Sequence, residues 1–254
     1  MPLWAPSIAA LAVVALLIAQ LAVPAARAWV WKVGAALGLL ELAALCYFGL
    51  FWAPPERFMS DVGRILYVHV PCVWLAGAAF GINVVCAVAY LMKKSWRTDA
   101  LAEASAEIGV FFGAIGVLQG SIWARPTWGV WWDWDPRLIT TTVALLSYVG
   151  YLAFRSFTED PERRATWSAA AAILGFATVP IVYYSVRWWN SLHQTQSTTK
   201  SVDGTMGAVL LWGLATFTTF LLVFLIKRYE LARARQTGAL ELPPVEAPKA
   251  QVTA

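Results

Sequence analysis

Seven runs of mostly apolar residues, separated by clusters of charge, dominate this sequence and restrict what it can fold into. They cover approximately 3–23, 33–52, 70–92, 105–124, 138–156, 167–187 and 206–226. A helix needs roughly 20 such residues to cross a bilayer. Backbone polar groups in hydrocarbon must be satisfied internally, and runs of this length without period-two alternation select helices over a barrel. The expected fold class is therefore all-α, a polytopic helical membrane bundle. Composition agrees: 59% of the residues are hydrophobic and 13% charged, against roughly half and a quarter in an ordinary globular chain. A soluble single-core enzyme is excluded. The net charge of +4 has no water-facing domain to carry it, so nucleic acid is not an expected partner.

Lys and Arg in the connections orient the bundle. One set of loops and the tail holds Arg27, Lys32, Lys93, Lys94, Arg97, Arg155, Arg163, Arg164, Lys227, Arg228, Arg233, Arg235 and Lys249, thirteen in all; the opposite set holds Arg57, Arg64, Arg125, Arg137, Arg187 and Lys200, which makes six. The first set is expected in the cytoplasm and the second outside. Ala26-Arg27-Ala28 resembles a signal-peptide cleavage site, but a basic region does not precede it, and cleavage there would invert the charge sorting. The expectation is an uncleaved extra hydrophobic helix with its turn over 1–32, a six-helix domain over 33–226, and a cytoplasmic, disordered, Pro- and Ala-rich tail over 227–254.

The 15 tryptophans and 2 histidines carry the chemical information. His69, in Tyr67-Val-His-Val-Pro71, stands just before the third run, and His193 follows the sixth. Isolated histidines are usually structural or solvated, but these two share the outer side. Between them lies a loop over 121–137 with Trp123, Trp128, Trp131, Trp132 and Trp134. An aromatic belt explains scattered rings such as Trp4, Trp52, Trp96 and Trp212. Five in twelve residues make a flat, polarisable surface instead. Haem would use both features, with imidazoles on the iron, rings against the macrocycle, and Arg125 or Arg137 paired with propionates. Headgroup pairing is an equal alternative for each arginine. Asp133 and Asp135 either orient an imidazole or Arg137, or keep the loop wet and cap the helix starting at Pro136. Cys46, Cys72 and Cys86 lack metal or CxxCH spacing and read as core residues. Glu41, in the middle of a span, is costly there and a functional suspect. Glu107 lies near a helix end and reaches water.

Trp128-Gly-Val-Trp-Trp-Asp-Trp-Asp-Pro-Arg-Leu138 resembles the WWD signature of haem-handling proteins of cytochrome c biogenesis. With Tyr67–Pro71 and Tyr184-Ser-Val-Arg-Trp-Trp-Asn-Ser-Leu-His-Gln194 in order, residues 33–226 resemble the CcmC family. The resemblance implies a non-enzymatic carrier of non-covalent haem b on the outer face of the bacterial inner membrane. His69 and His193 would be axial ligands, with Trp123, Arg125, Trp128, Trp131, Trp132, Trp134, Asp135 and Arg137 forming the haem loop. It also implies partners: the haem chaperone CcmE, the transporter subunits CcmA and CcmB, the small subunit CcmD, and membrane lipid. The first run departs from the six spans usual in the family. Two other classes compete. A b-type electron-transfer cytochrome normally takes its ligands from helices within the membrane, often four histidines. A non-haem transporter or assembly subunit leaves the two outer histidines and the ring cluster unexplained.

Overall fold

A computed structural model of the chain describes residues 15, 27–195 and 204–238. The run at 3–23, with its extra-helix and cleavage readings, lies outside the described residues apart from Ala15, as does the chain beyond Gly238. Within them the helices are α1 (Arg27–Tyr47), a π-helical turn Phe48–Trp52, a short 3-10 turn Asp61–Ile65, α2 (Leu66–Lys93), α3 (Trp96–Trp128), α4 (Pro136–Phe157), α5 (Pro161–Phe176), α6 (Thr178–Trp188) and α7 (Gly204–Gln236). Together they make six segments long and apolar enough to cross a membrane, so the expected helical membrane bundle is what the chain forms.

Local chemistry sets the boundaries. Lys94 takes a left-handed conformation, φ 49°, and its N–H bonds to the Tyr90 carbonyl at 2.7 Å. Ser95 follows in extended form, and this tight turn folds α3 back on α2. Gly129 at φ 81° ends α3 with its N–H on the Arg125 carbonyl at 3.1 Å, a position that favours glycine. Asp135 and Asp160 cap α4 and α5, each with proline at the next position, an arrangement worth about 1 kcal/mol per helix in water. The sixth run breaks at Ala177 because Pro180 has no N–H for the Phe176 carbonyl four residues back.

Helix packing relies on close approach, as expected where lipid is as apolar as the side chains. Gly109, Gly116 and Gly120 line α3 toward α2, where added Cβ atoms would crowd Phe80, Val73 and His69 in turn, and a Cβ at Gly113 would crowd Leu145 of α4. Phe80 stacks on Tyr148 of α4 with ring centroids 3.6 Å apart. On the other side of α2, Pro71 has no N–H for the Tyr67 carbonyl. Gly213 of α7 packs directly on that carbonyl, where any Cβ would collide with it.

The end carrying the 94–95 and 158–160 turns is held by charge. Arg155 donates to Asp99 Oδ1 and Oδ2 at 2.7 and 3.0 Å and to Glu103 Oε2 at 2.9 Å. Gln236 Nε2 adds a bond to Asp99 Oδ2 at 2.9 Å, Arg235 lies 3.6 Å from Glu103, and Arg228 pairs with Glu107. These contacts correct the sequence reading at 226. The last helix runs on to Gln236, because its polar final turns meet the carboxylates of α3 instead of water. Arg155, counted among the loop cations, is buried, and Glu107 is an ion-pair partner. Cys72 and Cys86 are buried as expected, whereas Cys46 is exposed on α1. Trp212 is no belt residue either, since its indole N–H donates to the Glu41 carbonyl at 3.0 Å. Glu41 itself is buried between α1 and α7, accepting from Thr219 at 2.7 Å.

Candidate functional site

Opposite the charge cluster, the start of α2, the end of α3, the loop 129–135, the start of α4 and the segment after α6 surround a cavity of about 390 Å³. His69 and His193 both line it, together with Trp123, Trp128, Trp132 and Arg137. Met59, Trp74 and the first turns of α7 complete the wall.

His69 is not in a loop before its helix. The 3-10 turn over 61–65 leads α2 in early, so His69 sits in the first turns of α2 and its ring is held by helix geometry. Gly120 gives it room: a Cβ there would stand 3.2 Å from the imidazole Cε1. Trp123, one turn further along α3, meets the ring edge to face at 5.6 Å and 78°. His69 Nδ1 and Trp123 Nε1 are buried with no hydrogen-bond partner among the described residues. Buried polar atoms of this kind normally have one.

His193 is placed by a loop. Its Nδ1 lies 2.9 Å from the Gln194 carbonyl, a contact that requires a proton on Nδ1 and leaves the Nε2 lone pair available in the neutral ring. Trp128 approaches it edge to face at 6.5 Å. Burial pushes the His193 pKa below its ordinary 6.5, and the Arg137 charge acts in the same direction; the Gln194 contact and Asp135 oppose them.

The tryptophan-rich segment divides. Helix α3 continues to Trp128, so 121–128 is helical and the loop proper is 129–135, shorter than the expected 121–137. Trp131 and Trp134 are 58% and 78% exposed and stand outside the cavity wall, although Trp134 meets Trp132 at 6.1 Å. Arg125 is also outside, folded back on the Gly129 carbonyl at the end of its own helix. Arg137 lines the cavity while its Nη1 donates to the Val182 and Tyr183 carbonyls of α6. Asp135 is buried and accepts from Arg137 N–H, the Ser191 hydroxyl and Leu192 N–H. Asp133 is half-buried on the loop and stands outside the cavity wall.

Among the described residues there is no group of three or more His, Cys, Asp or Glu suited to a metal ion. Two imidazoles on an apolar, ring-walled cavity would leave a bare ion under-ligated, but they suit a metal that brings an equatorial set of ligands with it. The orphaned Nδ1 of His69 and the lone pair on His193 fit that demand. Gly120 and Ser191 were not singled out from sequence. The glycine spacing of α3 was a usable signal for the first, whereas the second acquires meaning only from its contact with Asp135.

The pattern of the CcmC family, described as heme exporter protein C, matches residues 7–240, beyond the 33–226 that carry the recognisable motifs. Heme exporter protein C of Bradyrhizobium diazoefficiens is 34% identical over 172 residues, 68% of this chain and 64% of that one. Its counterpart in Escherichia coli K12 is 32% identical over 189 residues, 74% of this chain and 76% of that protein. In Haemophilus influenzae the identity is 37% over 168 residues, 65% and 67% of the two chains. The chain thus spans just under two thirds of the Bradyrhizobium protein. With the family pattern matched over most of its length and the two histidines brought to one ring-walled cavity, the chain belongs to the CcmC family of heme exporter C proteins.

Proposed function

We propose that this protein is a non-enzymatic haem carrier of cytochrome c maturation, holding non-covalent haem b at the outer face of the bacterial inner membrane and passing it to a haem chaperone. The observation that carries this reading is the convergence of the only two histidines of the sequence on a single apolar cavity. The thirteen-to-six sorting of cations in the sequence supports an outer position for that end of the bundle. His69 and His193 serve as axial ligands, Trp123, Trp128 and Trp132 lie against the macrocycle, and Arg137 faces its propionates. Trp131, Trp134 and Arg125, outside the wall, belong to the rim that a receiving protein meets. Asp135 supports the site from behind. The receiver implied by the family resemblance is CcmE, with CcmA, CcmB and CcmD as companions.

An absorption spectrum of the detergent-solubilised protein tests this. A Soret band is expected that weakens in His69→Ala and His193→Ala and partly returns with added imidazole. A wild-type protein that neither co-purifies haem nor takes it up would sink the proposal. Co-expression with a chaperone then separates carrier from redox protein, since a carrier delivers haem to the chaperone and an electron-transfer cytochrome keeps it.

A further inference from the structure

Asp135 is 4% exposed and engaged through both carboxylate oxygens. Oδ1 accepts from Arg137 N–H at 2.8 Å and from the Ser191 hydroxyl at 2.9 Å; Oδ2 accepts from Leu192 N–H at 2.6 Å. The first bond caps α4. The other two reach the segment that leaves α6, more than fifty residues further along the chain. Ser191 Oγ in turn accepts the His193 N–H at 3.1 Å. A continuous path of hydrogen bonds therefore joins Asp135 to the backbone of His193.

That segment needs such support. Helix α6 ends at Trp188, Trp189 is extended at φ −129° and ψ 156°, and residues 190–195 form no regular element. A helix cap alone does not explain the residue type, because Ser, Thr or Asn caps as well as Asp. Accepting on both oxygens does, since the amide nitrogen of Asn is a donor and would face the Leu192 donor. Arg137 runs a parallel brace, from its guanidinium to the Val182 and Tyr183 carbonyls, which fastens α6 itself to the start of α4. Asp135 does not line the cavity.

We infer that Asp135 is a positioning residue that latches the 191–193 turn to the start of α4 and so keeps the His193 imidazole in the cavity. This rests on the axial role proposed for His193. The acidic residue closing the tryptophan-rich loop then acts on the cargo only through the histidine.

Two measurements on the full-length protein in detergent test the latch. In haem-free protein, hydrogen exchange of peptides covering 189–195 is expected to accelerate by about tenfold or more in Asp135→Ala, while His193→Ala leaves the Leu192 amide protected. In haem-loaded protein, Asp135→Ala is expected to show the ligation spectrum of His193→Ala, to regain the wild-type form with imidazole, and to add nothing in the double variant. Asp135→Asn keeps the α4 cap and the fold, so it is expected to leave the Arg137 amide protected while still losing the His193 signature. Wild-type exchange at 189–195 in the aspartate variants overturns the latch. So does a wild-type ligation spectrum with haem loss that adds to that of His193→Ala. If His193→Ala alone leaves the spectrum untouched, the axial assignment itself has failed, and the latch loses its purpose; that arm identifies this case whatever the exchange result.

Discussion

Gly120 faces the His69 imidazole so closely that a Cβ on residue 120 would stand 3.2 Å from Cε1. The ring is pinned on a helix and has Trp123 on one side, so it has little freedom to yield. Gly120→Ala is expected to displace it. Overpacking of this kind costs about 1–3 kcal/mol, roughly five- to 150-fold in haem affinity. Haem titration followed at the Soret band measures it. Gly77→Ala, on the same bundle but with open space at its Cβ position, is the control and is expected to bind as wild type.

The pH response follows from the lowered His193 pKa. In the folded, haem-free site a proton competes for His193 only below that lowered value, so haem retention is expected to stay flat from neutral pH through about 6.5 and to fall at lower pH. Folding stability behaves differently. The unfolded imidazole takes up its proton at about 6.5 while the folded one stays neutral, so the unfolded chain binds more protons and stability declines as pH drops from about 6.5 through the folded pKa. Haem dissociation and thermal unfolding of haem-free protein, each recorded from pH 7.5 to 5, separate the two onsets. Coincident onsets would contradict the burial of His193.

The tryptophans are expected to sort by position. Trp123→Ala, Trp128→Ala and Trp132→Ala remove cavity wall and should weaken the Soret band, whereas Trp131→Ala and Trp134→Ala should leave it intact and slow delivery to a chaperone. Haem content and covalent haem on co-expressed chaperone, measured on the same preparations, give the split. A uniform loss of haem across all five would return the whole segment to one platform.

Arg155→Ala strands the buried Asp99 carboxylate, and Asp99→Ala leaves the buried Arg155 with Glu103 alone; breaking a buried pair costs about 3–5 kcal/mol, the upper end expected for Arg155→Ala. Both variants are expected to melt well below wild type in detergent while retaining the haem spectrum at low temperature, because the cluster lies at the far end from the cavity. A shift of the Soret maximum in these variants would show coupling between the two ends.

What could be read from sequence was whatever depends on local rules. Run length placed the spans, the Asp135-Pro136 pair marked a helix start, and rarity singled out His69 and His193. The errors arose where distant residues decide. Polar composition after 226 reads as disorder until Arg228 and Gln236 are seen against Glu107 and Asp99 on α3. Five clustered rings read as one surface until the continuation of α3 to Trp128 turns some inward and leaves Trp131 and Trp134 outside. The glycines of α3 were visible as letters, but their function as a groove for α2 requires knowing which helices are neighbours.

The bundle's two kinds of ionic contact differ in their access to dissolved electrolyte. Arg64 and Asp61 pair at the cavity end with the Asp61 side chain 77% exposed, whereas the Arg155 and Asp99 side chains are 4% and 3% exposed. Counterions screen the first pair and affect the second far less. Raising ionic strength therefore weakens the Asp61–Arg64 contact at the cavity end and leaves the Arg155–Asp99 end of the bundle as firmly closed as before.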